Sequence, residues 1–241
     1  MKKTILNIGI TLVMLMATAI RGQASTITFT VSGTNTGEPV SASAEFTTSA
    51  GQVSVILTNT LGTAINSVAS SVTGISFVLS NGATAFLSTA TGQLITVASD
   101  GSFTEVGGSS AVDVLDWGNI TTTPPPNGAT WNTGGSPNEA ILPAQGSYAG
   151  AGGSIDGNGP HNPFVYGAAT LNFTSAGTDA TTTVTSAVIY FGTAFTPFEA
   201  SPGSPPPPPP PPPSVPEPSS LVLLGCGLIG MAGVARRRLI N

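Results

Sequence analysis

The sequence predicts an all-β protein, an antiparallel β-sandwich of jelly-roll type. Three observations predict it. Runs rich in Val, Ile, Thr and Phe recur along the chain. Several of them alternate apolar with small polar residues, as in Gln52-Val53-Ser54-Val55 and Thr26-Ile27-Thr28-Phe29. That is the two-residue period of a half-buried strand. Outside the two termini, no apolar pattern with the helical period runs for three turns.

The chain opens on a targeting segment. Within residues 1–24, Lys2 and Lys3 form a positive start, Ile5 to Met16 an apolar stretch, and small residues follow. This is the three-part order of a secretory signal peptide. Cleavage is expected after Ala24, because the strand-like Thr26 to Val31 starts at once; Ala17-Thr18-Ala19 is the other candidate. The apolar stretch is short for a membrane-spanning helix.

Residues 25–198 read as one domain. Strands are expected at Thr26–Val31, Gln52–Thr58, Gly74–Ser80, Thr84–Thr89 and Gln93–Ser99. Further strands are expected at Ala111–Trp117, Ala169–Thr174 and Thr181–Thr193. Asn81-Gly82 and Asp100-Gly101 are tight-turn pairs. Gly62–Val72 is the one place where a short helix is allowed, and Phe195–Glu199 reads as a final strand. Between Thr121 and Pro163 the chain is dense in Gly, Pro, Asn and Ser, and reads as a long surface excursion. Residues 199–214 form a Pro-rich linker. Its nine consecutive prolines, Pro205 to Pro213, make a polyproline II rod of roughly 28 Å at about 3.1 Å per residue.

Charge is placed as sparingly as it is used. All six basic residues lie at the ends: Lys2, Lys3 and Arg21, then Arg236, Arg237 and Arg238. Every acid lies between Glu38 and Glu217. The body between is acidic and has no internal Lys or Arg to pair its carboxylates. Nucleic acid needs a basic footprint and is excluded as a partner. Divalent cations and neutral polymers remain. The single cysteine, Cys226, sits in an apolar run, so the body has neither disulfide nor thiol chemistry.

The end of the chain is a second targeting segment. Val215-Pro216-Glu217-Pro218 precedes a weakly polar to apolar run from Ser219 to Ala235, and three arginines close it. At 1.5 Å per residue the run spans roughly 25 Å as a helix, enough for a bilayer core. Arg236, Arg237 and Arg238 anchor its topology, with the arginines cytoplasmic and the body on the far side. The string Gly225-Cys226-Gly227-Leu228-Ile229-Gly230 matches a dinucleotide fingerprint, but polyproline, not a strand, precedes it.

This order of Pro-Glu-Pro motif, apolar helix and arginine cluster resembles the PEP-CTERM sorting signal. The resemblance covers residues 215–241. It implies processing by an exosortase, a membrane-embedded cysteine enzyme, with transient anchoring in the inner membrane through helix 219–235. It also implies a Gram-negative host that makes exopolysaccharide, and export to the cell surface or matrix. Glu217 is then a recognition residue, not a catalyst.

Candidate sites in the body are sparse. Trp131 and Tyr148 could stack on sugar rings; the preferred reading is that they pin the long loop onto the sheet. Asp156 and Asn158, in an Asp-x-Asn string, are the one candidate calcium site, without the Glu that a calcium loop carries at its twelfth position. Otherwise no cofactor is expected. Asp113, Asp116, Glu105 and Glu139 are available for glycosidase chemistry, but their spacing selects no pair. A Ser-His-Asp triad through His161 lacks the Gly-x-Ser-x-Gly elbow. The expectation is a non-enzymatic exported protein, structural or adhesive in an exopolysaccharide biofilm or floc. A carbohydrate-binding module is the alternative, and a polysaccharide hydrolase the third reading.

Overall fold

Alternating side chains decide where each strand lies, and a two-residue strand decides how they close. The structure, a computed structural model, describes residues 25–108, 112–120, 127–131, 138–157 and 159–203; at Trp131 and Gly152 only the main chain is described. The expected signal peptide 1–24, the proline rod and the sorting segment 215–241 with helix 219–235 lie outside the described residues.

The strands run in chain order β1 Ser25–Asn35, β2 Glu38–Ser49, β3 Gln52–Asn59, β4 Val72–Leu79 and β5 Phe86–Val97. Short strands follow: β6 Phe103–Glu105, β7 Asp113–Val114, β8 Trp117–Asn119, β9 Asn127–Trp131 and β10 Ile141–Leu142. Three long ones finish the domain: β11 Phe164–Thr174, β12 Val184–Phe191 and β13 Thr196–Pro202. Among the described residues no helix is long and apolar enough to cross a membrane. The helical elements there are 3-10 turns, at Val68–Ser70 (inside the segment where a short helix was allowed), Gly152–Ser154 and Gly159–His161.

The all-β class holds, but the sandwich does not. One hydrogen-bonded path runs β11-β3-β2-β1-β13-β12-β4, and β10 pairs with both of its ends. Ile141 and Leu142 of β10 lie parallel to Val165 and Tyr166 of β11, and Ile141 faces Val72 of β4. The eight strands therefore close into a barrel instead of stacking as two open sheets. Closure removes the exposed edges that a sandwich keeps. β5, with β6 and β7, extends the sheet from β11, and β9 with β8 extends it from β4.

The stretch expected as a long excursion is thus partly structural: it carries β9 and β10. Thr84–Thr89 and Gln93–Ser99 are one strand, β5, while Ala111–Trp117 divides between β7 and β8. The Asp100-Gly101 turn does join paired strands, β5 and β6. Gly101 takes φ +76°, and a Cβ there would collide with the main chain at Ala149.

Side chains fill the interior. Phe29, Phe46, Phe77 and Phe173 form an edge-on chain, with ring centroids 5.8, 5.1 and 5.2 Å apart. Such geometry suits the ring quadrupoles, and these rings supply much of the buried apolar area. Val53, Val55, Leu57, Ile75, Leu171, Ile189 and Phe191 are fully buried around them. A second, smaller core lies under the loops, where Ile95, Val97 and Phe164 meet Ile65, Val68, Leu142, Tyr148 and Ile155.

Candidate functional site

The sequence-predicted candidates fall into three groups, and burial separates them. The first is aromatic. Tyr148 is 1% exposed. Its hydroxyl donates to the Pro143 carbonyl at 2.8 Å, and its ring lies 5.7 Å from that of Phe103. Burial pushes the phenol well above its ordinary value, with a further rise from Tyr166. Neither ring face is open to a sugar, so Tyr148 pins the loop and does not stack on carbohydrate. Trp131 ends β9, where its main chain pairs with Trp117 of β8. Its side chain lies outside the described residues.

The second group is acidic. Glu139 is 7% exposed and sits in left-handed backbone, φ 60°, unusual for a residue with a Cβ. Its carboxylate accepts from the Asp116 N–H, and its carbonyl accepts from the Trp117 indole at 3.2 Å. Its own N–H donates to the Pro163 carbonyl. Desolvation raises its pKa; the Asp116 N–H opposes this, and the nearby charges of Asp116 and Asp113 add to the rise. The fold therefore gathers Glu139, Asp116 and Asp113, a grouping that sequence spacing does not reveal. Asp113 is also engaged, accepting from the Leu94 N–H at 3.0 Å. The geometry is that of a fastening: it ties β7, β8 and the approach to β10 onto β5 and β11.

The third group is the turn holding the calcium candidate. Asp156 is half-buried, and its Oδ1 is enclosed with no hydrogen-bond partner among the described residues. Asn158 lies outside them. Among the described residues no three of His, Cys, Asp or Glu converge as a metal site. Calcium takes six to eight oxygens, so a cation here would draw most of them from elsewhere than side-chain carboxylates. The adjoining His161-Asn162-Pro163 segment is structural. Asn162 exchanges two hydrogen bonds with the Val97 main chain, at 2.8 and 3.1 Å, as a neighbouring strand would.

One feature was not visible in the sequence. A groove of about 460 Å³ opens on the outside of the barrel, over β1, β2 and β13. β13 pairs with β1 only at Phe29–Pro202 and Thr30–Ser201, then leaves to pair with β12. Phe198 fills the inner side of this divergence. Its ring comes within 3.0 Å of where a Cβ on Gly33 would stand, and it packs edge-on against Phe191 at 5.3 Å. Strand alternation then turns Glu199 outward into the groove.

The C-terminal segment is the part of the chain that matches a known family model. Residues 214–238 match the PEP-CTERM protein-sorting motif. Neither the curated proteins nor the solved structures give a match. The chain carries an exosortase sorting signal, and its export and membrane-associated sorting follow from that signal.

Proposed function

We propose that this exported, exosortase-sorted chain is a non-enzymatic structural or adhesive protein of an exopolysaccharide matrix, retained at the cell surface or within the matrix. The sorting motif at 214–238 carries the reading, because it directs the chain to the exosortase route. The body supports it in three ways. Its interior is packed with side chains, so the outer wall is what it offers to partners. That wall is rich in Ser and Thr, with Ile56, Phe86, Val112 and Val114 also exposed, and there is no Lys or Arg anywhere between Gly22 and Ala235. Its buried acid, Glu139, is spent on holding loops. Binding would thus fall on neutral polymers through many weak hydrogen bonds.

Fractionating the producing cells tests this. The body should sediment with matrix from wild-type cells and appear in the wash from cells making no exopolysaccharide. Recovery in the wash from both strains would sink the reading.

A further inference from the structure

We propose that the groove over β1, β2 and β13 binds a neutral glycan chain, with Glu199 accepting hydrogen bonds from two neighbouring sugar hydroxyls. This rests on the matrix reading and gives it a site. Glu199 is the carboxylate of the groove, and six hydroxyl side chains share the lining with it: Thr30, Ser32, Ser41, Ser43, Thr60 and Ser201.

Each hydroxyl can donate one hydrogen bond and accept two, whereas an ionised carboxylate only accepts. A sugar presents hydroxyls of the same dual kind. The groove therefore offers donors and acceptors at many points and one strong acceptor. Bonds to that carboxylate are charge-assisted, roughly twice as strong as neutral ones.

The hydroxyls are set in rows. Thr30 stands opposite Ser201 on one side and Ser43 on the other, and Ser32 stands opposite Ser41. Neighbouring strands lie about 4.8 Å apart, so the rows hold a fixed spacing. Ser41 Oγ and Thr60 Oγ1 are hydrogen-bonded at 2.7 Å, which orients that corner. Ser and Thr have few rotamers to lose, and most of these sit on paired strands, so ordering the site costs little entropy.

Charge selects against other polymers. With Glu199 present and no Lys or Arg in the body, a phosphate- or uronate-bearing chain meets repulsion without a compensating cation. The volume falls in the range of small-molecule sites, and the groove is open outward to solvent.

The test is native electrophoresis of the full-length chain in mild detergent, through gels containing a β-glucan, a galactomannan, a dextran or alginate. At least one neutral polymer should retard the protein, and alginate should not. Glu199→Gln should weaken that retardation about tenfold, as loss of the charge and of one of its two acceptor oxygens implies. Thr30→Val with Ser43→Ala should weaken it similarly, while Thr170→Val, on the outer face of β11, should leave it unchanged. Equal retardation of wild type and both groove variants would overturn the site while leaving the matrix reading intact. No retardation by any neutral polymer, or retardation by alginate alone, would also overturn the site; the matrix reading is decided separately, by the sedimentation experiment.

Discussion

Glu139 is the residue on which burial and repulsion act most visibly. Its folded pKa lies above the ordinary 4.5, because desolvation and the charges of Asp116 and Asp113 outweigh the Asp116 N–H. The folded protein then binds more protons than the unfolded chain in the window just above 4.5, so stability falls as pH rises through that window. Melting temperature should climb as pH is lowered through that window toward 4.5, and Glu139→Gln should flatten that slope without lowering stability at pH 7. Asp100 and Asp179 act in the opposite sense. Their pKa values are lowered, chiefly by the Ser102 and Thr181 hydroxyls, so their contribution is present above the ordinary 3.8 and is lost below it. A wild-type melting temperature that falls as pH is lowered through the window just above 4.5, or a Glu139→Gln variant that keeps the wild-type slope, would contradict this account of Glu139. Tyr148→Phe is a simpler case. It leaves the Pro143 carbonyl without its buried donor and should cost about 1–2 kcal/mol in urea unfolding, with little change elsewhere.

At the scale of elements, β10 carries the most structure for its length. Its two residues close the barrel, and Asn59 holds them in place. The Asn59 amide donates to the Ile141 carbonyl at 3.0 Å and to the Ser70 carbonyl at 2.9 Å, inside the protein. Asn59→Ala leaves two buried acceptors bare and should cost about 2–4 kcal/mol. Hydrogen exchange should speed first at β10 and at Val165 and Tyr166, before the β1–β2 hairpin. Uniform acceleration would mean that β10 is not a separate latch. The same strand shows why the sequence supports an all-β class but not a barrel. In β1 and β3 the alternation of apolar and small polar side chains reports most of the burial, and β12 is rich in Val, Ile and aromatic residues, so those strands are legible. β2 alternates too, but through small residues, Val40, Ala42 and Ala44, whose apolar signal is weak. Ile141-Leu142 has no period at all; only contacts with chain segments far away in sequence make it a strand. The groove was hidden for the same reason, since Ser32, Ser41 and Glu199 are neighbours only through the β1–β2 and β1–β13 pairings.

For the whole molecule, address and body divide the labour. The body is an acidic barrel with a filled interior and a hydroxyl-rich exterior, and the tail carries the sorting motif. The residues of that motif were readable because they form a local string whose chemistry does not wait for folding. The central claim is that the sorting segment is removed on the way to a matrix location. Intact-mass spectrometry of the protein recovered from the matrix fraction tests this most directly, in wild type and in Glu217→Ala. The account predicts a matrix form lacking Arg236, Arg237 and Arg238 in the wild type, and an uncleaved chain held in the membrane fraction for the variant. An uncleaved chain in the matrix of the wild type, or equal cleavage of both proteins, would contradict it.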